Sequence, residues 1–165
     1  MCGIAGIAHF GDSPSPAATV IRAMCDTIVH RGPDDEGIHI NAGVGLGMRR
    51  LAIIDVDGGR QPIFNEDRTI ATVFNGEIYN YRQLRARLEA EGHTFRSASD
   101  TEVILHLYRE EGPDCVKKLN GMFAFAIFDG PDVMLARDPI GIKPLYYAYD
   151  RERIYFTSEF GAMTL

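Results

Sequence analysis

The residue with the clearest chemical potential is Cys2, which directly follows the initiator methionine. Removal of Met1 would leave a thiol and a free α-amine on one residue. An α-amine has an unperturbed pKa of about 7.7–8.0, so it can accept a proton near neutral pH. Such a residue combines a nucleophile with its own general base and needs no separate histidine. Position alone leaves a second interpretation open, in which Cys2 begins the first strand as a small apolar side chain.

The other cysteines and the histidines show no comparable pattern. Cys25 falls on the apolar face of a predicted helix, and Cys115 falls in a second apolar pattern, so both are predicted to be core residues. No Cys-x-x-Cys pair or paired histidine spacing indicates zinc, and no metal site is predicted. Ordinary solvated or hydrogen-bonded side chains are expected for His9, His39, His93 and His106.

Short apolar runs separated by glycine predict the strands that must position these groups. They cover residues 3–10, 43–48, 70–75, 122–129, 133–136 and 154–158. A helical pattern over residues 17–29 follows the first strand and a short predicted loop over residues 11–16. Its apolar stripe is predicted to consist of Val20, Met24 and Ile28, with Ile21 and Cys25 beside it.

Two further helical patterns lie in the middle of the chain. One covers residues 81–91, with Asn80 as the predicted N-cap and Gly92 as the end. The other opens at Ser99, and Glu102 follows at the spacing of a capping box. The strands are too numerous, and the helices too unevenly spread, for an alternating parallel sheet. An α+β layered domain is therefore predicted.

Composition is that of a soluble globular protein. The chain has 165 residues, of which 45% are hydrophobic and 24% charged, so a single domain over residues 1–165 is expected. The formal net charge of -6 disfavours a nucleic-acid partner. The sequence has no apolar run of about 20 residues and no secretory signal pattern, so neither a membrane span nor export is predicted. Widely spaced cysteines favour a reducing compartment, and a cytoplasmic location is expected.

The most specific feature of the sequence is a series of short motifs in a fixed order along the chain. It comprises Met-Cys-Gly-Ile-Ala-Gly-Ile at the start, His-Arg-Gly-Pro-Asp-Asp-Glu-Gly from residue 30, Arg-Leu-Ala-Ile-Ile-Asp from 50, Gln-Pro from 61, Asn-Gly-Glu-Ile-Tyr-Asn from 75, Ser-Asp-Thr-Glu from 99, Gly-Met-Phe-Ala-Phe from 121 and Arg-Asp-Pro-Ile-Gly-Ile-Lys-Pro-Leu-Tyr from 137. This series resembles the N-terminal glutaminase domain of glutamine-dependent asparagine synthetases, which are class II glutamine amidotransferases. The resemblance covers nearly the whole chain. It implies the four-layer αββα sandwich of the N-terminal nucleophile hydrolases.

The resemblance also implies roles in glutamine hydrolysis for matched positions. Cys2 would attack the side-chain amide and form a γ-glutamyl thioester, while its α-amine relays protons. The side-chain amide of Asn75 and the backbone N–H of Gly76 would form the oxyanion hole. Without the resemblance, Asn-Gly is equally consistent with a tight hairpin turn. Arg31 is expected to support the region of the nucleophile.

The expected glutamine pocket needs groups for a carboxylate and an ammonium. Arg50 matches the family arginine that binds the carboxylate, a task suited to its bidentate guanidinium. Asp100 matches the acid that accepts the ammonium, with help from Glu77, and Ile54 is expected to contribute to the same pocket. From the residues alone, either Arg49 or Arg50 could be a solvated surface charge. Asp100 could instead stabilise the start of a helix.

The same resemblance implies a partner for the ammonia that glutamine hydrolysis releases. This would be an ATP-dependent synthetase domain, either C-terminal in the same polypeptide or on a separate chain. The Ser-Gly-Gly-x-Asp-Ser pyrophosphate motif does not occur in the sequence, so ATP and magnesium are expected only for that other domain and no cofactor for this one. L-glutamine is the expected substrate, and a homodimer is a further expectation. A degenerate interaction module and an N-terminal-cysteine amidase for another amide stay open as alternatives.

Overall fold

Nine strands form two antiparallel sheets in the computed structural model, which describes residues 1–11, 14–41 and 43–164. The strands are β1 (Gly3–His9), β2 (Asp35–Asn41), β3 (Val44–Arg50), β4 (Ile63–Phe64), β5 (Ile70–Ile78), β6 (Gly121–Asp129), β7 (Asp132–Arg137), β8 (Tyr146–Tyr149) and β9 (Arg153–Thr157). The first sheet has the order β2-β3-β1-β9-β8, and the second has the order β4-β5-β6-β7. Three helices accompany them: α1 (Ala18–Thr27), α2 (Tyr81–Ala90) and α3 (Asp100–Glu111).

Alternation along the strands builds the layers of the molecule. In β1, Ile4 belongs to the apolar cluster between the two sheets, whereas Ile7 belongs to the cluster under α1. In β5, Val73 faces the other sheet while Phe74 packs in the cluster with α2 and α3. Because successive side chains of a strand point to opposite faces, each sheet buries both faces. The layers are therefore helix, sheet, sheet and helices, as the predicted αββα sandwich requires.

Helix α1 buries a different stripe from the one predicted. Val20 is 43% exposed, whereas Ile21, Met24, Cys25 and Ile28 are fully or almost fully buried. Residues at positions i, i+3, i+4 and i+7 share one helix face, and that face starts at residue 21. The prediction of Val20 as a core residue was therefore wrong.

Both predicted helix starts in the middle of the chain differ in detail from the expected caps. The Asn80 side chain caps nothing in α2 and instead bonds the Lys118 carbonyl and the Asn120 N–H, at 2.9 and 3.0 Å. Ser99 does cap α3, because its hydroxyl accepts from the Thr101 N–H at 3.1 Å. Its capping-box partner Glu102 turns away to other backbone N–H groups, so the reciprocal half of the box does not form.

All six predicted strands are present, with changed ends. Strand β5 continues past Asn75 to Ile78, and β3 extends to Arg50. The sequence pattern did not predict β2, β4 or β8. Strand β4 has only two residues, whereas β2 and β8 are the two edges of the first sheet, and β8 is exposed although it consists of three tyrosines and an alanine. In the predicted loop over residues 11–16, Asp12 and Ser13 lie outside the described residues. None of the helices in the described ranges is long and apolar enough to cross a membrane.

Candidate active site

A cavity of about 370 Å³ brings the predicted catalytic and substrate-binding residues together. Its volume is in the range typical of small-molecule sites. The elements that meet there are the start of β1, the end of β3 with the loop that follows it, the second half of β5 and the start of α3. Its walls include Cys2, Arg50, Ile54, Asn75, Gly76, Glu77 and Asp100.

Cys2 lies at the cavity wall, directly before the central strand β1. Its Sγ accepts from the backbone nitrogen of Leu51 at 3.4 Å and lies 3.6 Å from the carbonyl oxygen of the same residue. Burial raises the pKa of the Cys2 thiol, while the Leu51 hydrogen bond and nearby positive charges oppose the rise. The α-nitrogen of Cys2 is still in its peptide bond with Met1, which also lines the cavity.

Arg31 holds the backbone of the nucleophile from behind. Its Nε donates to the Cys2 carbonyl oxygen at 3.0 Å, and its Nη1 pairs with Glu159 at 2.9 Å. Glu159 also bonds His30, and the hydrogen bond from Arg31 lowers the pKa of the Glu159 carboxyl. Arg31 therefore links the first strand to the segment after β9. This is a contact with the main chain of Cys2 and not with the cavity.

Asn75 and Gly76 lie inside β5, opposite Ala124 and Phe123 of β6. They are not a hairpin turn, so that alternative interpretation is wrong. The side chain of Asn75 is buried, and its Nδ2 has no hydrogen-bond partner within the described part of the chain. A buried amide that borders a cavity without a partner is available to an oxygen atom bound there.

The glycine at position 76 is required by close packing of two strands. A Cβ atom at Gly76 would lie 2.2 Å from the carbonyl oxygen of Met122 and 2.8 Å from the Cα of Phe123. Any side chain here would push β5 away from β6 beside the cavity. The register of the two strands, and with it the position of Asn75, depends on this glycine.

Arg50 is 5% exposed and is the centre of the loop that follows β3. Its Nη1 donates to the Val56 carbonyl at 2.8 Å, and its Nη2 donates to those of Ile54 and Asp55 at 3.1 and 2.7 Å. A guanidinium can serve several acceptors at once because its donors form a rigid planar fork. The loop therefore wraps around the cation and brings Ile54 to the cavity.

Asp55 connects this loop to the start of α3. Its backbone has a φ of 51°, in the left-handed region, which aspartate tolerates better than most residues. The carboxylate accepts from the N–H of Gly58 at 3.1 Å and from the N–H of Ala98 at 2.7 Å. These bonds fix the distance between the Arg50 loop and the segment that carries Asp100.

Asp100 is the first residue of α3 and is 4% exposed. Its Oδ2 accepts from the Ile78 N–H at 3.0 Å, which joins the helix to the end of β5. Burial raises the pKa of the Asp100 carboxyl, and the bond from Ile78 opposes that rise. Glu77 lies on the same wall of the cavity. The carboxylate thus both faces the cavity and ties two elements together.

The charged groups of the cavity are left without protein counterions. Ion pairs in the described ranges involve other side chains, such as Arg49 with Asp26 and Glu36 at 2.5 and 2.6 Å. None of them includes Arg50, Glu77 or Asp100. Arg49 and Arg50 are successive strand residues and point to opposite faces, which explains their different roles. The cavity can therefore neutralise a ligand that carries both a carboxylate and an ammonium.

Several cavity residues were not predicted from the sequence. Gln61 bridges two walls, since its Oε1 accepts from the Phe74 N–H at 2.6 Å and its Nε2 donates to the Thr101 hydroxyl at 3.4 Å. Lys143 also lines the cavity and is 5% exposed. Both lie within motifs of the series above, but neither spacing nor apolar pattern identified them. Further unpredicted lining residues include Leu51, Ile53, Met122 and Ile142.

The remaining cysteines and histidines lie away from the cavity. Cys25 and Cys115 are fully buried core residues, as predicted. Burial raises the pKa of Cys25 to about 12 and that of Cys115 to about 11. His93 and His106 are hydrogen-bonded to each other at 3.0 Å between their Nδ1 atoms. Within residues 1–11, 14–41 and 43–164, no group of three or more acids, cysteines and histidines could hold a metal ion.

Comparison with known proteins gives a consistent family match. The glutamine amidotransferase domain family matches residues 1–165. Glutamine-hydrolyzing asparagine synthetase 1 of Bacillus subtilis is 49% identical over 165 residues, covering 96% of this chain and 26% of that protein. Glutamine-hydrolyzing asparagine synthetase 3 of Arabidopsis thaliana is 43% identical over 167 residues, covering 99% and 28% respectively. The chain thus spans about a quarter of the length of these relatives.

Solved structures show the same fold. Glutamine phosphoribosylpyrophosphate amidotransferase from B. subtilis aligns with a TM-score of 0.80 and 22% identity over 98% of this chain and 43% of that one. An allosteric regulatory enzyme of purine biosynthesis aligns with a TM-score of 0.81 and 24% identity over the same shares. The chain therefore shares the fold of these two proteins, and the predicted α+β fold class is confirmed.

Proposed function

This chain belongs to the glutamine amidotransferase domain family, and on that premise we propose that it hydrolyses L-glutamine through a thioester on Cys2. The observation that carries the proposal is the unpaired, buried amide of Asn75 in the same cavity as the Cys2 thiol. A buried donor without a partner costs stability, so its retention beside a nucleophile favours a role in binding an oxyanion. In the proposed substrate binding, thioester formation and thioester hydrolysis, all protein groups come from this chain.

Substrate binding would use the unpaired charges of the cavity. The α-carboxylate of glutamine would contact Arg50, and its α-ammonium would lie against Asp100 and Glu77. This arrangement selects an α-amino acid, and the cavity then orients the side-chain amide toward Cys2. Arg50 keeps its loop carbonyls while it binds, so the loop and the substrate share one guanidinium.

Thioester formation would begin after removal of Met1 has freed the α-amine of Cys2. The sulfur attacks the amide carbon, and the thiol proton passes to the amine. The carbonyl oxygen becomes an oxyanion, which the Asn75 side chain and the Gly76 backbone N–H stabilise. The carbon–nitrogen bond then breaks, the amine returns the proton to the leaving nitrogen, and ammonia departs.

Hydrolysis of the thioester would repeat these steps with water as the nucleophile. The amine takes a proton from water as the oxygen attacks the thioester carbon. The same donors stabilise the second oxyanion, and the carbon–sulfur bond breaks to release glutamate. The proton returns to sulfur, which restores the starting thiol and amine.

The proposal is tested by ammonia and glutamate release from glutamine by the Met1-free chain, compared with a Cys2→Ala variant. Equal amounts of both products from the first, and none above background from the second, are expected. Cys25→Ala is the matched control, because that thiol lies in the core under α1 and its loss should affect stability and not turnover. Release from other amides but not from glutamine would indicate a different amidase. No release from any amide would indicate an interaction module.

The greater length of the relatives indicates a use for the ammonia. They are named asparagine synthetases, and about three quarters of their length lies outside the region that matches this chain. We propose that the ammonia feeds an ATP-dependent synthetase domain that amidates a carboxylate. Steady-state kinetics of glutamine hydrolysis with and without such a domain, ATP and aspartate test this coupling.

A further inference from the structure

The segment from Arg137 to Lys143 is part of the motif series but has no role in the chemistry described so far. Several hydrogen bonds fix the backbone of this segment. The carboxylate of Asp138 accepts from the N–H groups of Phe123, Ile142 and Lys143, at 3.2, 2.9 and 3.0 Å. The guanidinium of Arg137 donates to the Lys143 carbonyl at 2.6 Å. The backbone of Lys143 is therefore held on both sides, beside β6.

The side chain that this segment presents is a buried ammonium. Lys143 is 5% exposed and lines the cavity together with Cys2. Its Nζ contacts the sulfur of Met1 at 3.2 Å, and a thioether is only a weak acceptor. No acid of the described ranges forms an ion pair with it. A buried cation without a counterion is costly, so the site retains it for an interaction other than protein packing.

Removal of Met1 changes the surroundings of this ammonium. It takes away the sulfur atom that Nζ contacts, and it frees the α-amine of Cys2, a residue that lines the same cavity. We propose that the Lys143 ammonium is a positioning residue for the nucleophile, which favours the proton-poor form of the amine–thiol pair of Cys2. The inference rests on the proposed function and deepens it.

The physical reason is the sign of the charge. A neighbouring cation disfavours the protonated amine, because both would be positive, and it favours the thiolate over the thiol. Both effects remove a proton from the pair, whose members titrate together. Burial alone acts on the thiol in the opposite direction, because it raises the pKa of the Cys2 sulfur. A nearby fixed cation offsets that effect.

Other charged groups around Cys2 have different tasks. Arg31 is bound to the Cys2 carbonyl and to Glu159, and Arg50 is bound to three loop carbonyls. The acids that face the cavity are Glu77 and Asp100, and Asp138 behind Lys143 is occupied by backbone N–H groups. Lys143 is the cavity cation whose hydrogen-bonding hydrogens are not committed to backbone carbonyls or carboxylates of the described residues. Its ammonium charge lowers the pKa of the Cys2 thiol, as does the charge of Arg50, which its hydrogen bonds to neutral carbonyls do not cancel.

The experiment compares the Met1-free chain with its Lys143→Met variant over a range of pH. Two quantities are measured: kcat/KM for glutamine, and the rate of Cys2 alkylation by iodoacetamide, located by peptide mass. In Lys143→Met, the acidic limb of both profiles should move to higher pH by roughly one unit, as loss of a nearby charge predicts. Below the limb this corresponds to an approximately tenfold loss, and at high pH the two proteins should converge. Lys143→Arg should restore the original limb.

Lys117→Met is the matched control, because it removes the same charge from an exposed site far from the cavity and should leave both profiles unchanged. A loss of kcat/KM by the same factor at every pH, with both limbs unmoved, would show a packing role and overturn the inference. If Lys143→Met does not fold, Lys143→Gln provides the same comparison. Absence of glutaminase activity in the parent chain would refute the proposed function, while the alkylation profiles would still decide the role of Lys143.

Discussion

Replacement of Asn75 by alanine should lower activity without lowering stability. The side chain is 1% exposed, and its Nδ2 has no partner within the described residues. Within the described residues this amide therefore makes no protein hydrogen bond that the substitution could break. During glutamine hydrolysis, by contrast, it is one of the donors to the oxyanion.

The expected magnitudes follow from these contacts. An unsatisfied buried donor costs about 1–3 kcal/mol, which the alanine variant recovers. Lost packing offsets roughly 1 kcal/mol, the value of about one buried methylene group, since Asn75 borders an existing cavity. The free energy of unfolding should therefore stay unchanged or rise by up to ~2 kcal/mol. Loss of an oxyanion donor should lower kcat on the order of 100- to 1000-fold.

Urea denaturation measures the first quantity, and ammonia release at saturating glutamine measures the second. Asn65→Ala is the matched control. Asn65 is also buried, but its Nδ2 donates to the Thr69 hydroxyl and its Oδ1 accepts from the Ile70 N–H, both at 3.0 Å. Its loss should lower the free energy of unfolding by about 1–3 kcal/mol and leave kcat unchanged. If Asn75→Ala were destabilised as much as this control, Asn75 would be a structural residue and the reasoning would be refuted.

Four further predictions concern the substrate pocket and the start of α3. Arg50→Lys keeps the charge but has only one nitrogen to serve both the loop carbonyls and the substrate. The kcat/KM for glutamine should therefore fall at least ~10-fold, which corresponds to the loss of about one charged hydrogen bond. Arg49→Lys should change kcat/KM little, and steady-state kinetics of both variants test this. Asp100→Asn should weaken glutamine more than an analogue without the α-amino group, and equal losses would make Asp100 a helix-start residue only. Burial raises the pKa of Asp100, so the folded state binds its proton more readily than the unfolded state does. The stability of the parent relative to Asp100→Asn should therefore decrease as pH rises from about 4 through the raised pKa. Thermal unfolding of both proteins over this pH range measures the difference. Glu102 behaves oppositely. Burial favours a raised pKa, but the nearby His106 ring at 3.7 Å and hydrogen bonds from Ser97 and the Arg96 N–H prevail and hold the pKa at about 2. Its contribution to stability should therefore be present above pH ~4.3 and be lost as pH falls toward 2; an equal acid sensitivity in Glu102→Gln would contradict this.

The motif series and the apolar runs predicted most of the fold. Runs that are buried on both faces, such as β5 and β6, carry a strong signal because their apolar residues are nearly continuous. Edge strands are less uniform: β7 was predicted although it is an edge, whereas β2, in which polar residues are interspersed, and β8, which has only four residues, were not. The stripe of α1 was misplaced by one residue, since Val20 and Ile21 are both apolar and only packing against β1 and β3 distinguishes them.

The pocket was predicted only where a residue type implied its task. Cys2 was identified first by its position after Met1, and Arg50 and Asp100 were identified through the resemblance. The sequence could not show that Arg50 holds its own loop, because that depends on the carbonyls that residues 54–56 present. Nor could it show that Lys143 is buried, since a lysine is normally exposed and only the Asp138 and Arg137 contacts hold it beside the cavity.

The role of Cys2 as the nucleophile is tested most directly by covalent labelling of the Met1-free chain. The label is a glutamine analogue with an electrophilic carbon in place of the amide. Intact mass and peptide mapping identify the labelled residue. One label per chain is expected, on Cys2, with protection by glutamine and no label on Cys2→Ala. Label on another residue, or equal labelling and full glutamine hydrolysis in a chain that retains Met1, would contradict the claim that the freed N-terminal cysteine is the nucleophile and base.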